Sequence, residues 1–168
     1  MGLTFVVGRA ADVFSGDLAR AVDGALHGRF AFDGGEEEKY ESEPVEAGGW
    51  LALQRRVHQV LDVAPHLTTV DAYQAVYIPA SIEHVEHVPI PNVADPLQVA
   101  SLPALLDELR RFAASASLPT DDVELMQLGA HYLEAEDVNA DLDVQTYVQL
   151  MLSAKQATAR RQALWIVT

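Results

Sequence analysis

Two short apolar runs stand at opposite ends of the chain, Leu3-Thr-Phe-Val-Val7 and Ala163-Leu-Trp-Ile-Val167, and they constrain the fold more than any other feature. Both are too short for a stable helix and rich in β-branched and aromatic residues, so each is read as a buried strand. Gly8 ends the first. Between them, apolar residues recur mostly at helical spacing. Strands at both termini with helices between them imply one mixed sheet covered by helices. The expectation is a single α+β domain, with about four strands packed against four to five helices. The final strand fits either a central position or pairing across a dimer edge.

The helical segments follow from periodicity and caps. Ser15 stands where it can cap a helix over 16–27, with Leu18, Val22 and Leu26 on one face. Trp50, Leu53, Val57, Val60 and Leu61 mark a second helix, stopped by Pro65. Leu102, Leu105, Leu106, Leu109 and Phe112 mark a third, with Pro103 in the first turn, where its missing N–H costs nothing. Asp121 followed by Glu124 has capping-box spacing and starts a fourth, running to about Leu133. The fifth runs from about Asp143 to Arg161 and carries Val144, Tyr147, Val148, Met151 and Leu152 on its apolar stripe. Tyr73–Ile78 and Ile82–Ile90 look like an antiparallel pair of strands, followed by a linker over 91–96. Trp50, Tyr73, Tyr77, Tyr132, Tyr147 and Trp165 fall in apolar stripes and are expected in the core.

One stretch breaks this pattern. Between Asp33 and Glu46 seven acids (Asp33, Glu36, Glu37, Glu38, Glu41, Glu43, Glu46) face Lys39 alone, bracketed by Gly34-Gly35 and Gly48-Gly49. Such a block repels itself and buries little, so 33–48 is expected to be a mobile acidic loop. A second acidic turn covers Glu134 to Asp143.

Composition narrows the function classes. A chain of 168 residues buries a real core, and 49% hydrophobic content excludes disorder over most of it. The absence of cysteine removes disulfide and thiolate chemistry. The N-terminus has no basic region and too short an apolar run for a signal peptide, and Val6 occupies the position where a myristoylation signal needs Ser or Thr. The expected address is cytoplasmic. With 25 acids against 11 bases, the net charge of −14 repels nucleic acid and anionic lipid and attracts cationic partners.

Candidate chemistry is sparse. Asp137, Asn139 and Asp141 lead into a helix at the one-three-five spacing of calcium loops, and Asp137 to Leu152 resembles half of a dockerin-type calcium repeat. Leu142, however, replaces the turn glycine and Val148 stands at the closing acid position. The simpler reading is an acidic turn whose Asp141 or Asp143 caps the last helix. Glu83-His84-Val-Glu86-His87 places two imidazoles near two carboxylates, but on a strand His84 and His87 point to opposite faces. No nucleophile elbow, dinucleotide fingerprint or Walker loop occurs. The carboxylate pairs Asp121-Asp122 and Asp107-Glu108 are assigned to helix starts and solvated faces. Protonation of His27, His58, His66, His84, His87 and His131 is expected to shift the net charge near pH 6. No cofactor or metal is assigned.

Met1-Gly2-Leu3, then Tyr147-Val-Gln-Leu-Met-Leu and Arg160-Arg161-Gln-Ala-Leu-Trp-Ile-Val167, give the chain an outline that resembles small bacterial immunity proteins of polymorphic-toxin systems. These residues are under a fifth of the chain, and no functional residue is carried over from the resemblance. The resemblance implies a small mixed domain that neutralises a partner protein. Together with the charge, it makes a basic protein the expected partner and Glu36, Glu37, Glu38, Glu41, Glu134, Glu136, Asp137 and Asp141 the expected contact residues. The alternative is a small enzyme or a ligand- or metal-binding domain built on His84 and His87, with helix-end carboxylates nearby.

Overall fold

The structure, a computed structural model, describes residues 2–33, 35, 37–137 and 140–168. In chain order the elements are β1 (Gly2–Gly8), α1 (Ala10–Val13), α2 (Gly16–Arg29), β2 (Tyr40–Glu41), β3 (Val45–Glu46), α3 (Gly49–Val60), α4 (Pro65–Thr68) and β4 (Ala75–Ile78). They continue with β5 (Glu86–Val88), β6 (Leu97–Ser101), α5 (Leu102–Ala116), α6 (Asp122–Leu133), α7 (Leu142–Arg160) and β7 (Ala163–Val167). The α+β class stands, but the described residues hold seven strands and seven helices, more than expected. The extra elements are short, and their partners lie far along the chain.

The sheet order is β2-β1-β7-β4-β6-β5, with β3 also pairing β1. The C-terminal strand is therefore central. β7 runs antiparallel to β1 (Thr4 opposite Val167, Gly8 opposite Ala163) and to β4 (Ala75 opposite Ile166). The antiparallel pair expected from Tyr73–Ile78 and Ile82–Ile90 does not form. β6 lies between β4 and β5, parallel to β4 and antiparallel to β5. All five of its residues are buried, so it takes the interior position that the more polar β5 cannot.

Both faces of the sheet are covered, which explains the unbroken apolar runs of β4 and β7. On one face Phe5, Tyr77, Ala100, Leu164 and Ile166 pack with residues of α3, α5, α6 and α7. On the other, Val6, Val76, Val99 and Trp165 meet Val22 and Leu26 of α2 and Ala10 of α1. Helix α7 is the hub of the first layer, packing against α3, α5 and α6 and against β1. At Gly49 the approach of α3 to α7 is so close that a Cβ would overlap the Thr146 hydroxyl.

The acidic stretch expected as a loop over 33–48 contains β2 and β3, which form one interrupted edge strand along β1. At the interruption Ser42 is buried. Its hydroxyl oxygen accepts the Phe5 N–H at 3.0 Å, while its own N–H donates to the Phe5 carbonyl at 2.9 Å. The serine thus substitutes for a ladder partner just before Pro44, which has no N–H to give.

Candidate functional site

Helix α6 forms a ridge on the helical layer. Asp121 caps it, accepting from the N–H groups of Val123 (3.1 Å) and Glu124 (3.3 Å), as its spacing implied. Helix α7 anchors its start, the Tyr147 hydroxyl donating to the Pro119 carbonyl at 2.6 Å and Lys155 to that of Thr120 at 2.7 Å. Leu125 and Gly129 face inward and are buried. The outward side is also apolar: Val123, Met126 and Leu133 are 56%, 56% and 62% exposed, and Ala130 is exposed between the last two. Steps of three, four and three residues put all four on one side of the helix.

The turn between β2 and β3 comes up against the C-terminal end of this ridge. Glu43 and Pro44 line one small hollow with Tyr132 and Leu133 of α6 and with Gln145 and Gln149 of α7. Gln149 fixes the turn, its side-chain oxygen accepting the Glu43 N–H at 3.2 Å. The fold thus joins the two acidic segments of the sequence through Glu43 on one side and the residues after Leu133 on the other. Glu43, Glu124, Glu134 and Glu136 are exposed and have no ion-pair partner among the described residues.

The other expected contact residues sort differently. Glu37 and Glu38 lie beside the C-terminal end of α7: Arg160 approaches the Glu37 carboxylate at 3.6 Å and donates to the Glu38 carbonyl at 2.5 Å, and Gln162 donates to the Glu37 carbonyl at 3.0 Å. Glu41 pairs with Lys39 at 3.3 Å. Asp137 is exposed next to the acidic end of α6. Asp141 occupies the N-cap position of α7 with φ of 49°, yet its carboxylate makes no capping bond and instead accepts from the Tyr132 hydroxyl at 3.1 Å. Burial first, then that bond and the nearby charges of Asp141 and Asp143, push the Tyr132 hydroxyl up to about 12. Asp143 pairs with Arg56 at 3.5 Å. Glu36 and Asn139 lie outside the described residues.

The histidine candidates form no shared site among the described residues. His84 sits in the bend before β5 and His87 within it, both exposed, and the nearest carboxylate to His84 is its neighbour Glu83 at 3.9 Å. Among the described residues no group of three or more histidines and carboxylates could hold an ion. Tyr73, expected in the core, is 59% exposed.

The buried polar centre lies elsewhere and was not expected. His66 is 3% exposed and Glu108 2%. All four polar groups of His66 have partners. Its N–H donates to Glu108 Oε1 at 3.0 Å and its carbonyl accepts the Tyr77 hydroxyl at 2.8 Å. Its Nδ1 accepts the Ser101 N–H at 3.0 Å, and Nε2 meets the Glu83 carbonyl at 3.2 Å. This pattern requires the neutral tautomer protonated on Nε2. Burial lowers the His66 pKa, partly opposed by its bond to the Glu83 carbonyl. Burial raises Glu108 to about 7, against the pull of the His66 N–H and Arg111, and its Oε2 has no hydrogen-bond partner among the described residues. Glu108 is therefore not on a solvated face. The hydrogen bonds of this cluster tie α4 to α5, β4, β6 and the 81–85 segment.

No known protein family matches the chain, and no curated protein or solved structure matches it either. Among the described residues no helix is long and apolar enough to cross a membrane.

Proposed function

We propose that this chain is an acidic, cytoplasmic protein-binding module that neutralises a basic partner protein in the manner of an immunity protein. One observation supports the reading: folding sets Glu43 against Tyr132 and Leu133 at the C-terminal end of α6, next to Glu134 and Glu136, and among the described residues these three acids have no ion-pair partner. Exposed charges of one sign act together over about 8–10 Å at ordinary salt, which steers a cationic protein toward this end of the helical layer. Glu37 and Glu41 contribute less, because Arg160 and Lys39 stand against their carboxylates.

The test is capture from lysate of the source cells at low salt with a high-salt wash, using the native chain and the triple variant Glu43→Lys/Glu134→Lys/Glu136→Lys. Stoichiometric retention of one basic protein by the native chain, abolished in the variant, is the expected result. Equal retention by both, or no retained protein, counts against the reading.

A further inference from the structure

We infer that the outer stripe of α6, Val123, Met126, Ala130 and Leu133, is the seat for an amphipathic, lysine- or arginine-flanked helix of the partner. This inference rests on the acidic-module reading and deepens it by naming the partner element. The stripe is not a scatter of surface side chains: among the described residues, three of the seven large exposed apolar side chains lie on this single helical face. A ten-residue span at about 1.5 Å per residue makes it about 15 Å long, two to three turns of a facing helix. Side chains at such spacing form the ridges that helices interdigitate. Leu118, Pro119, Gln127 and His131 line a shallow, open depression on its flank.

Charge decides between occupants. Asp122 and Glu124 stand at one end of the stripe, Glu134 and Glu136 at the other, and among the described residues only Asp122 of these is ion-paired, with Lys155. Both ends being acidic, a second copy of this chain would bring like charges together whether its α6 ran parallel or antiparallel. An anionic lipid surface is repelled in the same way. A helix with an apolar stripe and cationic flanks satisfies the face and both ends at once.

The probes are two synthetic peptides of identical leucine and lysine content. In one the leucines fall at heptad a and d positions, and in the other they are scrambled so that no face forms. Binding to the native chain is followed by fluorescence anisotropy. The expected result is at least about tenfold tighter binding of the amphipathic peptide, about what burying one or two half-exposed apolar side chains is worth. Met126→Ser/Leu133→Ser should remove that preference and leave the scrambled peptide unchanged. Glu134→Lys/Glu136→Lys should weaken both. Equal binding of the two peptides, or a preference that survives the serine variant, overturns the stripe assignment and leaves the acidic reading standing. If neither peptide binds at low salt, or the lysine variant changes nothing, the acidic reading falls with it. A native dimer that the serine variant dissociates would assign the stripe to a second copy and also overturn the proposal.

Discussion

Glu108 and His66 pull the stability of the protein in opposite directions with pH. The folded-state pKa of Glu108, about 7, lies above its ordinary 4.5, so the folded protein holds its proton more tightly than the unfolded chain does. Its contribution is fully present below about pH 4.5 and is lost as pH rises through 7, at most about 3 kcal/mol by the plateau. Glu108→Gln keeps an acceptor for the His66 N–H and removes the ionisation. Urea unfolding should show the variant level with the native chain near pH 5 and more stable at pH 8. A constant difference across that range would mean that Glu108 does not ionise on unfolding. His66 works the other way. Its folded pKa lies below 6.5, so its contribution is present above 6.5 and lost as pH falls through the folded value. His66→Ala strands the buried Ser101 N–H and takes the partner from the Glu83 carbonyl, and a loss of about 2–4 kcal/mol at pH 7 is expected in the same assay. A loss under about 0.5 kcal/mol, the level of an ordinary surface change, would show that the two imidazole contacts contribute little to stability.

At the scale of elements, close approach rather than propensity governs the α3–α7 contact. Alanine is a better helix former than glycine by about 1 kcal/mol, so Gly49→Ala would stabilise an isolated helix. Here the added methyl overlaps Thr146 of α7, and thermal unfolding should show a net loss of about 1–3 kcal/mol. Gly49→Ala/Thr146→Ala should recover most of it, since it removes the hydroxyl that clashes. The same elements show where sequence reasoning reaches and where it stops. Helices α2, α3, α5, α6 and α7 were legible because their apolar spacing persists over several turns, and both terminal strands because their runs are unbroken. Two-residue β2 and β3 were not, because Ser42 makes sense only beside Phe5, 37 positions away. β6 was missed because Gln98, Ala100 and Ser101 are poor strand formers held in place by burial. Glu108 could have been found: it stands three residues after Leu105 and four before Phe112, on the buried face of α5. The outer stripe of α6 was legible in spacing too, but every apolar period looks like core until the layers are placed.

Across the whole molecule the charge cannot be balanced internally. Even with every Lys and Arg paired, 25 − 11 leaves 14 acids without a cation, and the ion pairs present are mostly exposed ones of small value. Self-repulsion among the remaining carboxylates should therefore outweigh pair attraction in the folded state, where they are closer together than in the unfolded chain. Salt screens both terms, and the larger one decides the sign. Raising NaCl from about 10 mM, where the screening length is about 30 Å, to about 150 mM, where it is about 8 Å, should raise Tm at pH 8. Salts such as sulfate stabilise proteins without regard to charge, so the measurement belongs in chloride and needs a second arm. The triple variant Glu43→Lys/Glu134→Lys/Glu136→Lys changes the net charge from −14 to −8 at the end of the molecule where the acids gather. Its Tm at low salt should exceed that of the native chain, and its response to chloride should be smaller. If the native Tm instead falls with chloride, pair attraction dominates and the acids around α6 are already compensated. The same field that costs stability in isolation would then have nothing left to offer a cationic partner, so the sign of this one slope bears on the binding surface as well as on the fold.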